Sequence, residues 1–221
     1  RHMKDIRLVA IAKTHPAPMI AALAAMWKEG APAFGENYVQ EAVDKQTAVA
    51  SLLVRSPSTA TPQWHFTGHV QSRKAKDVAG RFVLIHTLDS EKLAAQIQKA
   101  VQQENLPPQA VLVQINIGEE EQKSGVSGDA AEKLLTAIAA MPEISIKGLM
   151  CLPPLFGGAE ESRPYFAELR ELRDTLSART GLALTELSMG MSHDCEVAIA
   201  EGATMVRIGT DIFGARPPRA G

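Results

Sequence analysis

The sequence predicts an α/β protein built as a single (β/α)8 TIM-type barrel, and three observations lead there. Short apolar runs alternate with longer helical patterns from one end to the other, which is the signature of parallel βαβ units. Eight such units fit into 221 residues, a compact version of a fold that typically takes about 250. No composition break, internal repeat or low-complexity linker divides the chain, so residues 4–217 read as one domain. A doubly wound open sheet is the alternative. Against it, no glycine-rich dinucleotide fingerprint follows the first strand, where Lys13-Thr14-His15-Pro16 stands instead.

The first strand, Arg7–Lys13 (RLVAIAK), is nearly continuous in apolar residues, as strands covered on both faces are. Pro16 and Pro18 mark the turn into a helix over Ile20–Lys28. A short strand at Ala33–Asn37 leads to a second helix through Val39, Ala42 and Val43, and Ser56–Pro62 (SPSTATP) has the chemistry of a loop. Strand three spans Trp64–Val70 and is followed by a short basic helix over Gln71–Val78. Phe82–Leu88 is the next strand, with Asp89 or Ser90 as the N-cap of a helix over Glu91–Gln103. Pro107-Pro108 closes that region before Val111–Ile117 (VLVQINI), the clearest strand in the chain. A helix over Asp129–Met141, a strand over Ile146–Cys151 and a loop over Pro153–Gly158 follow. Tyr165–Arg179 is a long charged helix stopped by Gly181. Glu186–Met189 as strand, Asp194–Glu201 as helix and Met205–Thr210 as strand complete the ring.

A composition of 45% hydrophobic and 22% charged residues supports a sizeable core and excludes wholesale disorder. The net charge of −2 argues against a nucleic-acid protein, which would show a basic excess. No run approaches the ~20 apolar residues of a membrane helix. Nor does a secretory signal open the chain, so a cytoplasmic protein with no nucleic-acid or membrane partner is expected. Cys151 and Cys195 read as reduced, small buried groups, no metal-ligand spacing stands out, and a monomer is expected. Arg1-His2-Met3 reads as a cloning scar ahead of Lys4.

Active sites of such barrels form at the C-terminal ends of the strands. Those ends carry Lys13, Asn37, Gly68-His69, Asp89, Asn116, Met150-Cys151, Ser188-Met189-Gly190 and Gly209-Thr210. Lys13 follows a strand with five apolar residues in six and emerges at the mouth. Partial desolvation there lowers the pKa of a lysine and exposes a nucleophilic amine suited to a Schiff base. The plain alternative is a lysine snorkelling into solvent. Ser188-Met189-Gly190-Met191-Ser192, between a strand and a helix, combines hydroxyls, a glycine and amide groups able to hold an anion such as phosphate. Gly209-Thr210 ends the last strand, and the loops after strands seven and eight are the recurrent phosphate site of these barrels. By alternation Arg207 shares a strand face with Met205 and Gly209. Its charge must meet a carboxylate of a neighbouring strand or a ligand, because a buried unpaired cation is costly. As a ligand contact it suits the pyridine nitrogen of pyridoxal phosphate.

Five ordered runs, LVAIAKT (8–14), FGENYVQE (34–41), WHFTG (64–68) with Gln71-Ser72, LSMGMS (187–192) and ATMVRIGTDIFGAR (203–216), resemble the YggS-like pyridoxal phosphate homeostasis proteins. The resemblance implies a fold-type III cofactor barrel similar to the N-terminal domain of alanine racemase. It makes Lys13 the Schiff-base lysine that carries pyridoxal 5'-phosphate covalently, with Arg207 at the pyridine nitrogen. Ser188, Gly190, Ser192, Gly209 and Thr210 would cradle the phosphate, and Asn37 and His65 would line the cofactor face. Met189 is counted with that cradle, although its side chain, like that of Met150, reads as packing. Arg73 stands where the family usually has asparagine, and His193 where an acidic residue is common, with Asp194 next to it. The family also normally carries a helix before its first strand, where only Lys4–Ile6 precede it here.

The implied function is intracellular cofactor homeostasis, by buffering or by delivery to apo-enzymes that depend on pyridoxal phosphate, without catalysis. Weak amino-acid racemase activity is the alternative. It needs a second acid/base opposite the lysine, for which Tyr38 is a candidate and Tyr165 is not, and the chain leaves no room for a second domain. A triose-type phosphate isomerase would need a strand-end glutamate, and none is evident.

Overall fold

The protein, described from a computed structural model over residues 6–54, 60–118, 120, 124–154 and 157–214, is a closed ring of eight parallel strands. In chain order the elements are β1 (Arg7–Ile11), α1 (Ala17–Met26), β2 (Ala33–Glu36), α2 (Val39–Leu53), β3 (Gln63–Phe66), α3 (Ala75–Val78), β4 (Leu84–Leu88) and α4 (Glu91–Gln103). They continue with β5 (Gln109–Ile115), α5 (Gly128–Ala139), β6 (Ile144–Cys151), α6 (Arg163–Thr180), β7 (Glu186–Met191), α7 (Cys195–Ala200), β8 (Met205–Ile208) and α8 (Thr210–Phe213). The ring closes where β1 pairs with β8, Arg7 beside Met205 and Val9 beside Arg207. The predicted (β/α)8 barrel is therefore the observed architecture.

Strand alternation sorts the residues into two cores. Outward-facing Phe66, Ile85, Val111, Val113, Leu149, Leu187 and Val206 pack beneath the helices, joined by Leu93, Ile97, Leu135, Ile138 and Phe166 from α4, α5 and α6. Phe34 and Ala10 do the same beneath Ile20 and Ala24 of α1. Inside the ring Leu84, Leu112, Met150 and Met205 form a small apolar cluster, and Val9 and Ile11 face inward against Gly35. Polar His65, His86, Ser188 and Arg207 share that interior.

Element identities follow the sequence reading, and the differences concentrate at the mouth. The helix over Glu91–Gln103 has the expected ends because Ser90 caps it, its Oγ accepting the Leu93 amide at 3.3 Å. The helix ending at Thr180 stops on Gly181, which takes the left-handed conformation at φ 71°. The first three strands stop one to four residues before the expected Lys13, Asn37 and Val70, because the chain leaves the ladder to build the rim. Gly68 belongs to that rim: a Cβ there would lie 2.1 Å from the Asn37 carbonyl oxygen, so only glycine lets the two backbones touch. β7 instead runs two residues past the expected Met189, through Gly190 at φ 91°. β8 ends at Ile208, and Thr210 opens the short helix α8 rather than ending the strand.

Arg1–Met3, most of the loop Ser56–Pro62, part of the loop Pro153–Gly158 and the Arg216 end of the last motif lie outside the described residues. Among the described residues no helix is long and apolar enough to cross a membrane.

Candidate cofactor site at the barrel mouth

A cavity of about 530 Å³ opens at the C-terminal ends of the strands, and six of the expected residues line it: Lys13, Asn37, Ser192, Arg207, Gly209 and Thr210. Ile11, Leu152, Pro153 and Met191 give it apolar surface, and Thr67 and His193 complete the wall. Lys13 is half-buried just beyond β1. Thr67 donates to Asn37 Oδ1 at 2.8 Å, which fixes the amide on the β2–β3 side. The loop after β7 is pinned by Asp194, which is buried: Oδ1 accepts the Met191 amide at 2.7 Å and Oδ2 the Ser162 hydroxyl at 3.1 Å. His193 Nε2 lies 3.3 Å from the same Oδ2, so the histidine that departs from the family pattern is part of the wall.

Arg207 is only 4% exposed. Its Nη1 donates to Ser188 Oγ at 2.7 Å and its Nη2 to the Cys151 carbonyl at 2.9 Å. No carboxylate among the described residues stands within ion-pairing distance of it, so the salt bridge offered as its structural alternative is absent there. Burial pushes the guanidinium below its usual range, yet arginine stays charged in proteins. Asp194 acts on it by charge without an ion-pair contact, and the side chain it touches leads into a pair of neutral histidines. Ser188 Oγ is 2.9 Å from His86 Nδ1, and His86 Nε2 is 2.9 Å from His65 Nδ1. Burial, with a smaller push from Arg7, lowers His65 to about 3. His86, fully buried and flanked by His65, Arg207 and Arg7, is held well below 6.5. His65 Nε2 is buried with no hydrogen-bond partner among the described residues.

Four of the expected site residues do not line this cavity. Ser188 lies three residues beneath the end of β7, not at the mouth, because that strand continues to Met191. It meets the cavity only through Arg207. His65 is one layer below Thr67, closed inside the ring against His86. Met189 points outward into the helix-covered core. Gly190 is fixed by its backbone and by α7, since a Cβ there would come within 2.6 Å of the Ala198 Cβ. The interior residue that sequence reasoning missed is His86, and its signal was a histidine inside the otherwise apolar run FVLIHTL.

Tyr38 is about half exposed and lines a neighbouring cavity with Gln71 and Lys74, whereas Tyr165 packs against the outer core. Arg73 is exposed, its Nε donating to Gln71 Oε1 at 2.9 Å. Cys151 is buried, and burial pushes the thiol of Cys195 up.

A lysine just beyond the first strand and a buried arginine on the last, facing one cavity across the closure of an eight-stranded barrel, define an alanine-racemase-type barrel. The chain belongs to the family of the alanine racemase N-terminal domain, which matches residues 1–217. It is 43% identical to the pyridoxal phosphate homeostasis protein of Aquifex aeolicus (strain VF5), over 95% of this chain and 87% of that protein. PipY of Synechococcus elongatus PCC7942, solved with pyridoxal phosphate bound, is 34% identical with a TM-score of 0.83 over 95% of this chain and 93% of its own. Alanine racemase of Clostridium difficile 630 shares the fold at 16% identity and a TM-score of 0.72, this chain covering 54% of it.

Proposed function

We propose that this protein holds pyridoxal 5'-phosphate reversibly at the mouth cavity and serves cofactor homeostasis, buffering or delivering it rather than transforming a substrate. The observation that carries this reading is a buried guanidinium without an ion-pair partner that shares one cavity with Lys13. An uncompensated buried cation is costly unless a ligand meets it, and an electron-rich ring nitrogen does so. The residues fit the cofactor in a second respect. A Cβ on Gly209 would meet nothing closer than 3.5 Å, so the fold itself does not demand glycine where the backbone would approach a phosphate.

In this reading Lys13 holds the aldehyde carbon covalently, Arg207 faces the pyridine nitrogen, and Ser192, Gly209 and Thr210 hold the phosphate beside Asn37. When bound, the cofactor supplies an aldehyde that condenses with a neutral amine, releasing one water, and water reverses the step. Arg207 has donors and no acceptor, so it keeps the ring nitrogen unprotonated, which makes the ring a weak electron sink. That supports holding and release over carbanion chemistry. Recipients are apo-enzymes that use the same cofactor. The proposed working form is a monomer in the cytoplasm.

The experiment is a titration with pyridoxal phosphate, followed by borohydride reduction and peptide mass spectrometry. Lys13 is expected to carry the reduced cofactor, and Lys13→Ala to abolish both the label and the visible absorbance. A protein that stays colourless in excess cofactor overturns the reading. A racemase reading is favoured by one observation, a second titratable side chain, His193, lining the same cavity as Lys13. Exchange of an amino-acid α-proton in D2O above the rate of cofactor alone would support it. The isomerase reading lacks its base: no carboxylate among the described residues lines this cavity.

A further inference from the structure

We infer that Lys45, Glu41 and Glu36 form a clamp outside the barrel that aims Lys13 into the cavity, which makes them positioning residues for the amine. The inference rests on the proposed role of Lys13. Lys45, on α2, is 6% exposed and reaches back to the end of β1. Its Nζ donates to the Ala12 carbonyl at 2.6 Å, to Glu36 Oε1 at 2.7 Å and to Glu41 Oε1 at 2.8 Å. Three donors meet three acceptors, so the ammonium is saturated. Glu41 Oε1 also accepts the Thr14 amide. The peptide groups on both sides of Lys13 are thus tied to one cluster, Ala12 through its carbonyl and Thr14 through its N–H.

That convergence explains a strained backbone. Thr14 sits at φ 65°, in the left-handed region that disfavours β-branched residues by about 1–2 kcal/mol. Such conformations persist only where the surroundings over-determine them, and here the Glu41 contact does so. The turn it fixes reverses the chain immediately after Lys13 and directs the side chain into the ring instead of along the strand. Glu36, fully buried on β2, anchors the clamp to the sheet, and the charge of Lys13 acts on its carboxyl. An ion pair that only fastened α2 to the sheet could sit anywhere along the helix. This one grips the two peptides that flank the amine.

A test compares an anchored reagent with an unanchored one. Pyridoxal phosphate, held by its phosphate, reacts with Lys13 at a rate set by aim. Acetic anhydride labels it at a rate set by exposure. In Glu41→Ala, capture of pyridoxal phosphate, trapped by borohydride and counted on the Lys13 peptide, is expected to slow by roughly tenfold or more. Acetylation of Lys13 in the unloaded protein is expected to change less than about twofold, since no orientation is demanded of a free reagent. Glu41→Gln is expected to recover most of the capture rate, because one amide oxygen can accept from both Lys45 and Thr14. Equal capture by wild type and Glu41→Ala overturns the clamp and leaves the cofactor site standing, as does a parallel fall in both labelling rates. A wild type that never captures the cofactor at Lys13 overturns the proposed function and the clamp with it.

Discussion

Lys45 and Arg207 are both almost fully buried, at 6% and 4% exposure, yet the chain treats their charges differently. Lys45 lies outside the sheet, between α2 and the first two strands, and meets two carboxylates and a carbonyl. Arg207 lies inside the ring and meets one hydroxyl and one carbonyl, with two neutral histidines behind them. A buried charge of either kind loses several kcal/mol of hydration, which only close opposite charge and hydrogen bonds offset. The chain supplies that compensation in full for Lys45 and leaves it incomplete for Arg207. Charge matched within the chain is architecture, and charge left over at a cavity wall is reserved for a ligand.

Replacing each cation by methionine tests this contrast most directly. Lys45→Met leaves Glu36 buried without its partner and is expected to destabilise the protein by about 3–5 kcal/mol, read from urea denaturation. Arg207→Met removes an incompletely compensated charge, so stability without cofactor is expected to hold or rise, within about 1–2 kcal/mol. Its effect appears instead as a cofactor affinity weakened roughly 10–100-fold, about 1.4–2.7 kcal/mol. An Arg207→Met protein as unstable as Lys45→Met would break the comparison.

The contrast was only half legible in the sequence. Lys13, Arg207 and Gly209 could be placed because strand alternation and the position of strand ends are simple periodic facts. Ser188 was misplaced because the end of β7 depends on Gly190 adopting φ 91° against α7, which no local pattern announces. Glu36 and Glu41 stood in plain view in the run FGENYVQE, without a role. Lys45 meets Glu41 through i,i+4 spacing on α2, but it joins Glu36 only when α2 folds back over β2, and spacing across a strand–helix turn does not reveal that. His65 was read as lining the cofactor face and His86 had no reading, and only the pairing of β3 with β4 puts them 2.9 Å apart.

Acid should act on the two regions in opposite senses. His65 and His86 have folded pKa values pressed far below 6.5, so the stability they contribute is present above pH 6.5 and lost as pH falls. Glu36 is raised by burial from 4.5 to about 7, so its contribution is full below pH 4.5 and lost as pH rises through 7. Between about pH 4.5 and 6.5 acidification costs stability at the histidines, which burial keeps neutral in the folded chain, while the folded chain holds a proton at Glu36 that opposes this loss. Glu36→Gln removes the opposing proton and should steepen the loss by about 1.4 kcal/mol per pH unit. Urea midpoints across this range measure both slopes, and an unchanged slope in the variant would show that Glu36 is ionised throughout.

The smallest effect tests the mouth without disturbing either cation. At Gly209 a Cβ would meet Ile11 at 3.5 Å and nothing nearer, and the residue has an ordinary negative φ of −119°. Gly209→Ala is therefore expected to change stability without cofactor by no more than about 0.5 kcal/mol. If the backbone there approaches a phosphate, the added methyl intrudes on the ligand instead, and pyridoxal phosphate should bind several-fold more weakly, about 1 kcal/mol. Pyridoxal, which lacks the phosphate, should bind the variant and the wild type equally. Equal losses for both ligands would mean that Gly209 faces the ring rather than the phosphate, and would move the anion cradle to Ser192.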